Sequence, residues 1–201
     1  MLVAALALAN ASCVGDRLAP PSRRQIGEIT VQRTPAPLER YVISAAFEGL
    51  PAAVESFSGV ARFSVSNPEC APLDAGRAYG GVRLAPRHEV VLEWRRTGDG
   101  VYRANADLDA LLDEDYFGLG VCRWRFDGVD VGFAVGASRF AHALSADDVR
   151  GQNVRRGYYL ESDLAEERSE RAIFGEAEEF YRAELAARFV LMLGARHDGA
   201  P

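Results

Sequence analysis

Residues 121–136, VCRWRFDGVDVGFAVG, hold two runs of alternating side chains that meet at an Asp-Gly pair. In the first run Cys122, Trp124 and Phe126 lie on one face of an extended chain, because neighbouring side chains of a strand point to opposite faces. In the second run every other residue from Val129 to Val135 is apolar in the same way. Such alternation is typical of antiparallel strands with one buried face. The stretch therefore predicts a protein built mainly from β-sheet.

Two turn signals place strand ends in this part of the chain. The Asp127-Gly128 pair favours a turn whose geometry matches the twist of adjoining strands, so it predicts a hairpin between the two runs. Upstream, residues 97–100, TGDG, separate EVVLEWRR from VYRANAD and predict a second hairpin. Together with earlier runs rich in β-branched and aromatic residues, about six or seven short strands are expected between residues 41 and 136.

The spacing of these strands favours a single domain over residues 39–201. It predicts an antiparallel β-sandwich, either immunoglobulin-like or of the Greek-key type. The chain of 201 residues is long enough to bury one such core. Residues 13–38 contain four prolines among polar neighbours and are predicted to form a tether that leads into the domain.

A different periodicity follows towards the C-terminus. Asp163 and Glu166 form a D-x-x-E pair that is typical of a helix start. The apolar residues beyond it recur at spacings of three and four: Phe174, Ala177, Tyr181, Leu185, Phe189 and Met192. This stripe predicts a C-terminal α-helix over about residues 163–194. Gly175 interrupts the stripe, which leaves two shorter helices as an alternative.

The N-terminus resembles an export signal. The residues that follow the first Met form an apolar run too short to span a bilayer, and residues 1–12 are predicted to be a signal segment. Two processing sites compete: cleavage after the A-x-A triplet Ala9–Ala11 would release a chain that begins at Ser12, whereas a lipobox would make Cys13 a lipidated N-terminus. An ordinary buried segment is the third alternative. Export places the protein in the periplasm, where lipidation at Cys13 would anchor it to a membrane.

The cysteine count agrees with export. The chain has three cysteines, and Cys70 and Cys122 remain as a pair if Cys13 carries a lipid. In an oxidising compartment this pair is predicted to form a disulfide, with two buried free thiols as the alternative. Because no C-x-x-C motif is present, the sequence does not support a zinc site or a thioredoxin-like site.

Charge excludes one class of partner and suggests another. The net charge is −6, which argues against binding to nucleic acid. Two regions are acidic: residues 161–184, and the segment after the predicted hairpin with Asp107, Asp109, Asp113, Glu114 and Asp115. Three acids of the first region have an Arg four residues later, so part of their charge is compensated. The five acids of the second region are therefore the candidate partner-binding residues, with a solvated loop or a short helix as the alternative.

No catalytic motif, metal site or cofactor site is predicted. The segment GASRF around Ser138 lacks the second Gly of a nucleophile elbow. His88, His142 and His197 are scattered, and each is interpreted as structural or solvated. The acidic segment 107–115 lacks the Gly and the ligand spacing of a calcium loop. We therefore predict that the protein is not an enzyme; an enzyme with a dispersed site is the alternative.

Residues 115–133, DYFGLGVCRWRFDGVDVGF, carry a resemblance to a known family. The order Gly118, Gly120, Val121, Cys122 and Trp124, followed by a second strand, resembles a pattern in small exported lipoproteins of Gram-negative bacteria. Some of these are encoded beside secreted antibacterial effectors, lipases in particular, and are regarded as immunity proteins. The leader and the upstream cysteine match more loosely, and the pattern contains no catalytic motif.

The resemblance implies a periplasmic immunity protein that binds a secreted effector, such as a lipase, and blocks it. The partner would be a protein with a basic surface, since the chain is acidic. Contact with a membrane would occur only through the lipid anchor. The alternative is an envelope lipoprotein that binds a ligand or assists assembly without catalysis.

Overall fold

The computed structural model describes residues 29–74, 81–164, 172–181 and 187–199. Over these ranges the chain is mainly β, as predicted. The strands are β1 (Arg40–Glu48), β2 (Ser56–Val65), β3 (Leu73–Asp74), β4 (Val82–Arg83), β5 (Arg87–Val91), β6 (Arg95–Gly98), β7 (Val101–Asp107), β8 (Trp124–Val135), β9 (Ser138–Ser145), β10 (Val154–Leu160), β11 (Ile173–Phe174) and β12 (Arg188–His197). One α-helix, α1, covers Ala146–Arg150, and short 3-10 helices cover Pro68–Cys70, Glu161–Leu164 and Glu178–Tyr181. The predicted signal segment 1–12 and Cys13 lie outside the described residues.

The strands form two five-stranded sheets in a sandwich-like arrangement. The first sheet has the order β10-β12-β1-β7-β6, and the second has the order β11-β9-β8-β2-β5. The pairs within them are antiparallel, except that β11 runs parallel to β9. Strands β3 and β4 form a separate small ribbon. No helix in the described ranges has the length and apolar character needed to cross a membrane.

The core lies between the two sheets and is rich in aromatic rings. Phe189 of β12 and Tyr159 of β10 come from the first sheet, and Phe133 and Phe140 come from the second. The ring centroids of Phe140 lie 5.3 Å from Tyr159 and 5.4 Å from Phe189, both edge-on. Such pairs add about 0.5–1.5 kcal/mol beyond the burial of their area. The apolar faces of the two sheets thus meet in one contiguous core.

The predicted hairpin turn at Asp127-Gly128 is wrong. Both runs of the opening stretch belong to one long strand, β8, which pairs with β2 along most of its length. The turn between β8 and β9 comes later, at residues 136–137, where Val135 lies opposite Ser138.

The Asp-Gly pair forms a β-bulge within β8. Phe63 of β2 lies opposite Phe126, whereas the preceding Arg62 lies opposite Gly128, so that Asp127 is an extra residue. An extra residue reverses the alternation of faces. The apolar residues therefore face the core on both sides of the bulge, although their positions change from even to odd numbers.

The segment EVVLEWRR also differs from the predicted single strand. Its first part is β5, which pairs with β2 in the second sheet, and its last part is β6, which pairs with β7 in the first. Between them, residues 92–94 cross from one sheet to the other. The predicted hairpin is confirmed for its second half, because β6 and β7 are antiparallel neighbours on either side of residues 99–100.

The predicted C-terminal helix over 163–194 is wrong where the structure describes it. The end of one 3-10 helix, strand β11, a second 3-10 helix and strand β12 occupy this range, while residues 165–171 and 182–186 lie outside the described residues. Strand β12 pairs with β1 on one side and β10 on the other, and Phe189, Leu191 and Leu193 face the core. Pairing on both sides explains the run of apolar residues, which fits a central strand as well as a helix.

Helix α1 directly follows β9 and begins with a capping box. The side chain of Ser145 accepts a hydrogen bond from the backbone N–H of Asp148, whose carboxylate accepts one from the backbone N–H of Ser145. The carboxylate of Asp148 also accepts a hydrogen bond from Arg155 Nε at 2.8 Å. Burial, the largest influence, raises the pKa of Asp148, but the hydrogen bonds from Ser145 and Arg155 outweigh it, so the pKa is lowered.

We predict that Asp148→Asn destabilises the protein at pH 7 by about 1–2 kcal/mol, because an amide replaces one acceptor oxygen and removes the charge of a buried carboxylate that binds Ser145 and Arg155. A depressed folded-state pKa stabilises the protein above the unfolded pKa of about 3.9, and that stabilisation is lost as the pH falls through the folded value. Urea unfolding at pH 7 and below pH 4 should therefore show a difference between variant and wild type that shrinks in acid. Asp147→Asn removes an exposed charge from the same turn and is the matched control. If both variants lose the same amount of unfolding free energy at pH 7, the proposed role of the Asp148 carboxylate is wrong.

Candidate functional site

Cys70 and Cys122 form a disulfide, as predicted, with their Cα atoms 5.3 Å apart. Both residues are buried and, with Val65 and Ala71, form a second hydrophobic core that is distinct from the one between the sheets. Trp124, which shares a strand face with Cys122 in the sequence pattern, packs against both cores. The bond therefore joins the segment after β2 to the segment before β8.

Side-chain hydrogen bonds to the backbone brace this joint. Asn67 Nδ2 donates to the carbonyl oxygen of Val121 at 2.8 Å, and Asn67 Oδ1 accepts from the backbone N–H of Arg123 at 2.6 Å. Arg83 Nη1 donates to the carbonyl oxygen of Ala71 at 2.8 Å, which attaches the β3–β4 ribbon. Two loops and a ribbon are thus fixed to one buried disulfide.

Two hydrogen-bonded aromatic residues, Tyr116 and Trp124, pack against the second core and support the loop 113–123. Tyr116 Oη donates to the carbonyl oxygen of Leu112 at 2.9 Å and accepts from Trp124 Nε1 at 3.0 Å. Burial raises the pKa of Tyr116, while the hydrogen bond from Trp124 lowers it. The hydroxyl remains a neutral donor at physiological pH and holds the loop against the second core.

The first two predicted partner-binding acids hold the chain that enters the domain. Asp107 forms an ion pair with Arg40, with Oδ1 and Nε 2.6 Å apart. Asp109 accepts hydrogen bonds from the backbone N–H groups of Leu38 and Glu39, at 2.8 and 3.2 Å. Both carboxylates are therefore engaged within the protein, in roles that sequence reasoning did not foresee.

The other three predicted acids lie in the disulfide-linked loop. Asp113 Oδ1 accepts from the backbone N–H of Trp124 at 2.8 Å, and Asp115 Oδ1 accepts from two backbone N–H groups further along the loop. The carbonyl oxygen of Glu114 accepts from the N–H of Cys122 at 2.9 Å. Asp113 and Asp115 remain exposed while they brace the loop. By their hydrogen-bond partners the five acids form two groups, although Asp109 and Asp113 line the same cavity of about 330 Å³.

Exposed apolar side chains accompany the second group. The same braced region carries Leu119 at 53%, Val121 at 50%, Leu73 at 50% and Val82 at 41% exposure. We call these residues, together with Asp113 and Asp115, the disulfide surface. Sequence reasoning missed its apolar members, although the position of Leu119 between two glycines was a signal that its side chain need not serve the core.

The residues considered for catalysis do not come together. Ser138 is buried, and its Oγ donates to the carbonyl oxygen of Asp163 at 2.7 Å. His88, His142 and His197 lie on β5, β9 and β12, and burial lowers the pKa of the first two. In the described part of the chain, no group of three or more potential ligands is placed to hold a metal ion.

Comparison with known proteins adds no relative. No protein-family model matches the chain, and neither a curated protein nor a solved structure matches it.

Proposed function

We propose that this protein is a periplasmic immunity protein that binds a secreted antibacterial effector, such as a lipase, and blocks it. The observation that carries the proposal is the disulfide surface, in which exposed apolar side chains and acids are held on a rigid, disulfide-linked loop. The sequence resemblance of residues 115–133 covers this same loop. An inhibitor of this kind needs no catalytic group of its own.

The rigidity of the disulfide surface favours tight binding. A flexible loop loses conformational freedom when it binds, and this loss reduces affinity. Here the disulfide, the Asn67 hydrogen bonds and the two aspartates already fix the backbone. Leu119 and Val121 can then enter a partner's pocket at little entropic cost, as the buried anchors of inhibitors do.

The charges of the disulfide surface favour a basic effector. Asp113 and Asp115 are exposed in the same loop as Leu119 and Val121 and can attract a positive surface over a distance of about one Debye length. Such charges mainly raise the association rate, whereas the apolar centre determines how long the complex lasts. Export would bring this surface into the compartment where the effector acts.

We further propose that the fold is a Greek-key sandwich. Strand β1 lies beside β7 in the first sheet, although the chain continues from β1 directly to β2 in the second. Strands β2 and β5 are neighbours at one edge of the second sheet, and β6 and β7 are neighbours at one edge of the first. The chain therefore leaves β1 for the second sheet and returns through β6 to β7, which pairs with β1, as in a Greek key. This order brings the segments after β2 and before β8 together at the disulfide.

We predict that the triple variant Asp113→Asn, Glu114→Gln, Asp115→Asn folds normally and binds the effector about three- to tenfold more slowly at low salt. The amide oxygens preserve acceptors for the loop, so the change removes charge more than structure. The proposed function requires that a secreted effector is encoded beside the gene of this chain, and that effector is used in the test. Association rates are measured over a salt series, together with survival of cells that receive the effector.

The matched control removes the same number of charges elsewhere, as Glu176→Gln, Glu178→Gln, Glu179→Gln, all of which are exposed. It should bind and protect like wild type. If the control abolishes protection and the loop variant does not, the interface lies near residues 176–179. If no secreted effector is encoded beside the gene, the proposed function is wrong.

A further inference from the structure

A cleft opens where the chain crosses from the second sheet to the first. The backbone N–H of Leu92 donates to the carbonyl oxygen of Gly59 at 3.0 Å and so still belongs to the second sheet. Arg95 already lies opposite Arg103 in the first sheet. Between these two points the chain leaves the edge of β7, and the register of β6 with β7 does not continue beyond Arg103.

The uncovered edge of β7 presents backbone groups to the cleft. Hydrogen bonds from Leu108 N to Glu39 O and from Phe47 N to Gly100 O set the register of β7 with β1. In an antiparallel pair the backbone groups of successive residues point to opposite sides. The N–H and C=O groups of Asn105 and Asp107 therefore face away from β1 and into the cleft.

The cleft has an apolar floor and a basic mouth. Its volume is about 550 Å³, within the range of ligand sites. The floor consists of buried apolar residues, and the mouth is lined by arginines, with Glu93 as an opposing charge. The floor residues are Val90, Leu92, Ala104 and Ala110, and the arginines are Arg33, Arg95 and Arg103.

Within the described part of the chain, the arginines of the mouth have no carboxylate partner. Arg95 and Arg103 are directly opposite on neighbouring strands, where like charges are destabilising. Among the described residues, no carboxylate lies within ion-pair distance of Arg33, Arg95 or Arg103, and Asp107 at the cleft pairs instead with Arg40. An anion in the cleft would relieve this repulsion.

We propose that the cleft binds an extended peptide segment with alternating acidic and apolar residues, which adds to β7 as a strand. This proposal goes beyond the proposed function and concerns a site of opposite charge. Backbone groups of Asn105 and Asp107 pair with the peptide. Because strand side chains alternate, acidic residues on one face meet Arg95 and Arg103, while apolar residues on the other face meet the floor. The uncovered part of β7, residues 104–107, spans about 13 Å, which is four residues of such a peptide.

The test uses the blocked peptide Ac-Glu-Val-Glu-Val-Glu-Val-NH2 and the full chain, with binding measured by calorimetry at low salt. We expect the double variant Arg95→Gln, Arg103→Gln to weaken binding about tenfold or more. Arg139→Gln, an exposed arginine of the other sheet, should leave the affinity unchanged. Hydrogen exchange at the amides of Asn105 and Asp107 should slow when the peptide is bound.

Three outcomes would overturn the proposal. One is absence of peptide binding at millimolar concentration, and another is equal binding of the same peptide with Lys in place of Glu. The third is unchanged exchange at Asn105 and Asp107 together with tighter binding of laurate, which would identify a site for small anionic amphiphiles. The variant of Asp113, Glu114 and Asp115 should bind the peptide like wild type. A failure of the peptide proposal therefore does not count against the proposed role of the disulfide surface.

Discussion

Replacing Cys70 and Cys122 together with Ala is expected to lower the free energy of unfolding by about 2–4 kcal/mol. The disulfide closes a loop of 52 positions, for which the loop-entropy model gives about 4 kcal/mol. Among the described residues, Val65 and Ala71 are the other buried members of the second core, so loss of the bond leaves this core small. The midpoint of thermal unfolding should fall by roughly 5–15 °C.

The local effect of this change should exceed the global one. The main core lies between the sheets and does not include the two cysteines, so the sandwich is expected to remain folded. The loop 113–123, by contrast, would lose its covalent link and be held by hydrogen bonds, which include those to Asn67, those of its own aspartates and those of Tyr116. The disulfide surface should therefore become mobile, and effector binding should weaken by more than the loss of stability alone explains.

Urea unfolding and hydrogen exchange separate the two effects. Amides of residues 113–123 should exchange much faster in the double variant, whereas those of β8 beyond the bulge should change little under native conditions. Cys13→Ala is the control, since it removes a cysteine that is not part of the disulfide. The proposed role of the bond is wrong if the double variant matches wild type in both measurements.

The disulfide and the inward faces could be predicted because they depend on local pattern and counting. Cys70 and Cys122 remain as a pair if Cys13 carries a lipid, and alternation identifies the buried side of a strand without knowledge of its neighbours. Phe126 and Val129 were both assigned to the apolar face, and both are buried. What alternation does not reveal is how two runs of opposite parity are joined.

The C-terminal strand could not be predicted because its environment is set by distant segments. Residues 189–193 are all apolar, which suits a helix stripe and a strand buried among neighbours equally well. Strands β1 and β10, which begin 148 and 34 positions before Arg188, decide the outcome by pairing with β12 on both sides. Single-sequence periodicity contains no information about that pairing.

Neither the disulfide surface nor the cleft could be predicted in full from the sequence, because both depend on how separate segments meet in the fold. Composition identified the acids of 107–115, but their hydrogen bonds to backbone N–H groups depend on the loop geometry. The cleft depends on the crossing at residues 92–94, which interrupts a segment that resembles one continuous strand. Arg95 and Arg103 become neighbours only through the register of β6 with β7.

Gly128→Ala is the second variant with a large expected effect, because the bulge of β8 depends on this residue. Gly128 has φ +150°, which residues with a side chain rarely adopt, and a Cβ atom there would lie 2.2 Å from the carbonyl oxygen of Leu144. That oxygen belongs to the backbone of β9 and cannot move without breaking the pairing of the two strands. We expect a loss of about 2–4 kcal/mol in the free energy of unfolding.

Gly132→Ala is the matched control, since it lies in the same strand and a Cβ atom there would make an ordinary contact, 3.7 Å from the carbonyl oxygen of Phe140. It should change stability by less than about 1 kcal/mol, because it also restricts the unfolded chain. Urea unfolding of both variants measures the difference. If the two variants are equally stable, β8 can pair with its neighbours without the bulge. The strand would then have to expose either Phe126 or Val129 to solvent. A large difference would show that one glycine allows a single strand to keep apolar residues of opposite parity in the same core.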